Sequence, residues 1–564
     1  MKTAAANRII LALWLLATTA IAVFVPLASP NDREIAGRTF FLGMGAAAIA
    51  IPLGSCLAWV CLGRGWVSKL ALASTLSLVI IPVFLQLSTW DAAFGRLGWL
   101  TSGNGQVLVP LVSGWTAAVW VHGVAAAPQI AILLLIGIST GNRTYEEQAL
   151  LDTTRWGVFW NVTLPGLIPL LILATLWTII VCSREIAATD LYQIGTLSEQ
   201  IYLGFSLGQI NALGGNWTTE QLTAAGELSV GLTICLIGWL AVTASFLFMK
   251  LTAVDSFSDH QQPVDRSSPK VSGFGCDQNE SLALRHSTRA PVFDSPPRDV
   301  IGMLLLLTLV AIPLSNLIIR CCYFVRPRNG VPTAGYSFRQ FGETMSRAVF
   351  DYTDELTWSL LIAVTSATII LILSTIITWS ARRSLTWQML FVISLAFACA
   401  IPGPLMAILI TKLFSLLDFE IAHWLFDRTI LAPVWANVWF CWPLASLVVW
   451  FAFRKIANDA LEHAQLEGAG VSTQFFRFGL AGNPLAIAGC WLITFAFCFG
   501  ELSASQLVLP PGIDTMPRLM LGLLHAGVDE MTAALTIVMV GIILILSLCG
   551  WGIIRLNQRQ VVRQ

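Results

Sequence analysis

The sequence predicts an all-α integral membrane protein with about twelve transmembrane helices, arranged as two tandem six-helix units. Three observations carry that expectation. Hydrophobic residues make up 56% of the 564 positions and charged residues only 11%, with a mean hydropathy of +0.75; soluble domains carry roughly a quarter charged residues. Apolar runs of spanning length recur along the chain, and a run of about 20 residues crosses the bilayer core while satisfying its own backbone. Finally, Glu146 falls on Glu462 and Glu185 falls on Glu501 at one shift of 316 residues.

The composition excludes a soluble enzyme. Net charge is zero, so nothing points to nucleic acid. The twelve cysteines are scattered in apolar runs, with Cys321 and Cys322 as the only close pair, and they read as packing residues rather than metal ligands. The first run, Ile9 to Leu27, follows Lys2 and Arg8; its length and the spans after it point to an uncleaved first helix. Further spans are expected from Phe41, Leu70, Thr116, Leu164 and Leu228, then from Val300, Trp358, Met389, Ile430, Pro484 and Met531. This gives a first unit over residues 1–250 and a second over 299–564. Residues 251–298 between them are rich in Ser, Pro, Asp, Gln and Arg, the composition of a disordered cytoplasmic linker.

Short cytoplasmic loops collect Lys and Arg. Arg64, Lys69, Arg382, Arg383, Arg454, Lys455, Arg555, Arg559 and Arg563 fall together if both termini are cytoplasmic. Arg320, Arg326, Arg328, Arg339 and Arg347 then fall in the outer loop after the seventh span, accompanied by Glu343, Asp351, Asp354 and Glu355. Many of the tryptophans lie near span ends, as an interfacial belt requires. Asn142, Asn161, Asn216 and Asn279 open N-x-[ST] patterns without functional weight, and His122 in the fourth span reads as a hydrogen-bonded helix contact.

The repeat runs without a gap through two segments. Before the fifth span of each half, Leu150 falls on Leu466, Phe159 on Phe475, Leu164 on Leu480 and Gly166 on Gly482. Where that span ends, Ser183 to Thr189 falls on Phe499 to Ser505. A segment of this length is hard to match by apolar composition alone. Thr144 followed by Glu147, and Asp459 followed by Glu462, have capping-box spacing. Each half is therefore expected to hold a short, capped, partly polar helix in the cytoplasm, suited to docking.

The segment Glu462-His463-Ala464-Gln465-Leu466-Glu467-Gly468, closing at Leu480, resembles the EAA loop of binding-protein-dependent ABC importer permeases. Val162-Thr163-Leu164-Pro165 matches the closing stretch of that loop in the first half. Departures are visible: Asp152 stands at the Gly position, Glu147 and Gln148 at the Ala pair, His463 for one Ala and Ala481 for the last Pro. The resemblance implies that Glu146, Glu147, Ala149, Asp152, Leu164 and Pro165, with Glu462, Ala464, Gly468 and Leu480, form two loops that couple to an ATPase. Gly468 has a physical reason, since a residue without Cβ allows a tight turn after the short helix.

No phosphate-binding loop of the G-x-x-x-x-G-K-[ST] type occurs in the chain. ATP and magnesium are therefore expected in a partner, and no cofactor in this chain. The implied partners are two copies of an ABC ATPase subunit, an extracytoplasmic substrate-binding protein and the lipid bilayer, in a bacterial inner membrane.

The two fused halves, and Gly500-Glu501-Leu502-Ser503-Ala504-Ser505 followed by Leu509-Pro510-Pro511-Gly512, resemble the ferric-iron type of this permease, with thiamine, phosphonate and polyamine permeases as near relatives. Glu185 ends a span that Pro165 begins, about 30 Å away. With Glu501 and Ser503 it is a candidate for the translocation path, as hard oxygen ligands for a cation. The competing expectation is that both carboxylates bind loop backbone or a nearby arginine. An ion-coupled secondary transporter is the alternative of another class, and it should bury charges in mid-span.

Overall fold

A computed structural model describes residues 30–95, 98–101, 113–140, 143–206, 296–328, 331–382, 384–417, 419–527 and 529–561. The expected spans at Ile9 and Leu228 and linker residues 251–295 lie outside the described residues, as do the side chains of Glu146 and Glu147.

Ten expected spans fall on described residues: seven coincide with continuous helices long and apolar enough to cross a membrane, and three with pairs of helices bent by more than 40° at a short break. In the first unit these begin with α1 (Pro30–Cys61), α2 (Trp66–Ile80), α3 (Val83–Phe94) and α4 (Gly114–Thr140). There follow α5 (Arg143–Asp152), α6 (Leu164–Arg184), α7 (Ala187–Leu191) and α8 (Leu197–Ser206). The second unit starts with α9 (Pro296–Leu306) and α10 (Ile312–Cys322), then a hairpin of β1 (Tyr323–Arg328) and β2 (Val331–Tyr336). The hairpin is antiparallel, with Tyr323 opposite Tyr336.

After it come α11 (Phe338–Phe350), α12 (Thr353–Ala381), α13 (Leu385–Ala400), α14 (Gly403–Leu416), α15 (Glu420–Arg428) and α16 (Leu431–Arg454). The chain ends with α17 (Asn458–Leu466), α18 (Pro484–Phe499), α19 (Met516–Ala526) and α20 (Asp529–Val561).

The third expected span is broken in both units, at the same kind of residue pair. Ile81 and Ile401 precede Pro82 and Pro402, and proline drives the residue before it out of helical backbone. Ile81 accordingly sits at ψ 116° and Ile401 at ψ 124°. The chain turns by 105° between α2 and α3 and by 104° between α13 and α14. In the first unit the Gln86 side-chain amide donates to the Ile81 carbonyl at 3.1 Å, satisfying one group that the break sets free.

A second recurrence lies ahead of the fifth span. Phe159–Thr163 and Phe475–Leu480 each form a π-helical turn, so the paired phenylalanines Phe159 and Phe475 open the same local distortion. The units then differ. The first continues as one span from Trp156 to Arg184, whereas the second bends by 75° between Leu480 and Pro484. Asn483 stabilises that bend, because its side-chain amide donates to the carbonyls of Phe478 and Gly479, both at 3.1 Å.

The units are interleaved. The Asn316 side chain of α10 donates to the Thr89 carbonyl of α3 at 3.3 Å, and Ser88 of α3 meets Thr536 of α20 at 2.6 Å. Helix α3 is thus held between α10 and α20 of the other unit. Arg298 is 7% exposed and its guanidinium lies 4.9 Å from the Trp59 ring centroid. That moves the expected end of the linker: residues 296–298 belong to α9, because the arginine stem and the cation–π contact favour helix over solvent. Arg320 is likewise not in a loop. It lies in α10, 4% exposed, and pairs with Asp529 at 3.0 Å.

Candidate functional site

The two short helices expected between the fourth and fifth spans are α5 and α17. Their caps differ from the expectation. Helix α5 already includes Thr144, and α17 has Ala457 at its N-cap with no side-chain bond there. Asp459 therefore sits in the first turn, where it complements the helix dipole instead of capping. Glu462 is exposed while Ala464 is buried at 8%, so α17 sets its small residue against the body of the protein. The opposite face carries Leu466 at 85% exposure, and in α5 Leu151 reaches 86%.

Helix α17 ends through Gly468, whose φ is +86°. The Ala469 N–H returns to the Ala464 carbonyl at 2.8 Å, the bond that closes a Schellman-type terminus. Nothing lies within 4 Å of where a Gly468 Cβ would stand. The residue is thus demanded by backbone conformation and not by crowding within the chain. Asp152 occupies the matching place as the last, exposed residue of α5. Ala149 is partly buried. Leu164 and Pro165 open α6 directly after the π-helical turn Phe159–Thr163. Leu480 lines an apolar groove with Phe476, Pro484 and Trp491.

Past the far ends of α6 and α18 both carboxylates accept hydrogen bonds from loop backbone. Glu185 accepts the N–H groups of Ala187 at 2.7 Å and Ala188 at 3.0 Å. Glu501 accepts those of Ala504 at 2.6 Å and Ser505 at 2.9 Å. Each carboxylate closes a tight loop, and free N–H groups at the start of a short helical turn are what such a loop offers. The following helix is tied back in the same way in both units. The Leu197 N–H donates to Thr39 Oγ at 2.9 Å and the Met516 N–H to Ser359 Oγ at 2.8 Å. Ser503 is buried inside the second loop, at 5% exposure.

Around these loops the units diverge. His122 donates through Nδ1 to the Ala118 carbonyl at 2.8 Å, the helix contact expected of it. Its Nε2 also lies 3.5 Å from a Glu185 oxygen, a partner that sequence spacing could not reveal. Arg184 crosses into the other unit, donating to the Phe440 carbonyl at 2.9 Å with its guanidinium 3.9 Å from the Phe440 ring centroid. The matching position is Gly500, where a Cβ would collide with Pro82 of the first unit.

Two acids that the sequence reading passed over join the first loop. Asp190 reaches His525 of α19 at 3.6 Å, again across the units. Burial pushes the Asp190 carboxyl up, His525 opposes this, and Glu185 adds to it. Burial, with the Asp190 charge beside it, raises Glu199 to about 7. One oxygen of Glu199 is buried without a hydrogen-bond partner. A signal was available, since Asp190 follows Glu185 by five residues in an otherwise apolar stretch. Among the described residues no group of three or more His, Cys, Asp and Glu side chains gathers as a metal ligand set.

No family model matches the chain. Over 278 residues it is 31% identical to the putrescine transport system permease protein PotI of Escherichia coli K12, covering 48% of this chain and 96% of that protein. The chain belongs to the ABC importer permeases. A second relative is the spermidine/putrescine transport system permease protein PotC of the same organism. There the identity is 26% over 153 residues, 27% of the permease and 53% of the relative. The permease is thus about two relative-lengths long.

Proposed function

We propose that this permease imports a polyamine, a flexible chain of primary and secondary ammonium groups. The carrying observation is the match to nearly the whole length of a putrescine permease. Asp190 supports it, because it adds a carboxylate to Glu185 near the unit interface, and a negative lining attracts a polycation. Ferric iron, the first expectation from sequence, loses its support: both relatives are named for polyamines, the alternative considered beside it.

In this reading residues 1–250 and 296–564 each act as one six-helix unit, the stretch between them is a cytoplasmic linker, and both termini lie inside. The α5 and α17 loops each receive one ATPase subunit, which binds ATP and magnesium, and an extracytoplasmic binding protein delivers the substrate. Support for docking comes from Leu151 and Leu466, apolar side chains almost fully exposed on otherwise polar helices.

The test is uptake of labelled putrescine into proteoliposomes holding the permease with its ATPase and binding protein. ATP-dependent uptake is expected, with excess unlabelled spermidine competing and ferric citrate not. Iron uptake without putrescine uptake would reverse the assignment.

A further inference from the structure

A small, partly open cavity of about 10 Å³ lies beside Glu501, lined among others by Ser359, Asn437, Cys498, Ser505 and Thr515. That is room for a single water-sized group. Two of its lining oxygens, Asn437 Oδ1 and Thr515 Oγ1, have no hydrogen-bond partner, although Asn437 is only 1% exposed and Thr515 only 6%. Buried acceptors left open in this way are costly and point to a missing donor.

The repeat says what the cavity lacks. Pro128 in α4 and Pro443 in α16 match at a shift of 315 residues, and the same shift puts His122 on Asn437. Cys182 and Cys498 match at the shift of 316 that pairs Glu185 with Glu501. Ser359 matches Thr39 by its identical bond to the next helix. In the first unit the His122 ring fills this position and sets a nitrogen 3.5 Å from the carboxylate. Asparagine is shorter, so in the second unit the equivalent nitrogen is absent and the space remains.

We propose that this cavity binds one ammonium group, the terminal ammonium of the transported polyamine, with Glu501 as its countercharge. The inference rests on the polyamine reading above. An ammonium carries three donors and no acceptor, which matches a site walled by a carboxylate, an amide oxygen and a hydroxyl. The group takes the place that the imidazole nitrogen holds in the first unit, so one loop is occupied permanently by His122 and the other only by substrate.

The experiment is putrescine uptake by the reconstituted complex with Asn437→His, which installs the side chain that the first unit shows to fit. The midpoint concentration is expected to rise roughly tenfold or more, the factor lost with one charge-assisted hydrogen bond. Asn437→Asp keeps both the space and the oxygen and adds a charge that attracts the ammonium, so its midpoint is expected to move the opposite way, downward by about twofold or more. Parental uptake by Asn437→His would overturn the site and leave a bound water there, while the polyamine reading stands. An equal loss in both variants would also overturn it, by showing a structural role. If the parental complex takes up no putrescine, the polyamine reading fails first and the site falls with it.

Discussion

The loop that closes on Glu185 and the loop that closes on Glu501 share a main-chain plan and differ in nearly everything attached to it. In both, a carboxylate binds two successive N–H groups and a hydroxyl of an earlier helix anchors the next one. In the first, His122 leans on the carboxylate, Arg184 reaches into the other unit and Asp190 adds charge. In the second these places are held by Asn437, Gly500 and Gln506. The glutamates therefore recur for a backbone reason. Ionic character is free to vary around them: His122 and Asp190 attend the first carboxylate, whereas the Arg184 charge bears on Glu501.

The comparison can be broken most sharply by removing the carboxylates. Glu501→Ala orphans two buried N–H groups at about 1–3 kcal/mol each, so a loss of several kcal/mol is expected in thermal unfolding of the purified permease. Glu185→Ala is expected to cost less, because the Glu185 side chain is 13% exposed and water can reach the freed groups. Equal losses would mean that the two loops are not closed to different degrees.

A smaller effect is expected at the other end of the units. Gly468→Val forces a β-branched residue to φ +86°. About 1–2 kcal/mol of strain follows from the left-handed backbone alone, and the ATPase should be lost during co-purification. Asp152→Gly, at the matching place in the first unit, is expected to change stability by less than about 0.5 kcal/mol and to retain the ATPase. Retention of the ATPase by Gly468→Val at parental stoichiometry would remove the docking role of α17.

The smallest effect concerns protons. Glu199 titrates near 7 when folded and near 4.5 when unfolded, so the folded protein holds this proton more tightly. Stability from this group is full below the unfolded value and declines as pH rises through about 7. The unfolding midpoint should accordingly fall between pH 5 and pH 8, and Glu199→Gln should flatten that fall. A Glu199→Gln profile parallel to the parental one would show that the carboxylate is not held protonated.

The sequence by itself determined the spans, their pairing between units and the short helices before each fifth span, because apolar run length and a fixed shift are one-dimensional properties. The positions of the ten expected spans on described residues follow from them. Tertiary structure decided what each side chain meets. Runs such as Leu70 to Phe94 read as single spans, yet Ile81-Pro82 turns the chain by more than a right angle, since proline acts on backbone angles that hydropathy does not record. Arg320 read as an outer-loop charge but is buried against Asp529, because helix α10 runs further than its apolar stretch. The contacts of Arg184 with Phe440 and of Asp190 with His525 join residues more than 250 positions apart. Only the packing of one unit against the other could bring such distant partners within a few ångströms.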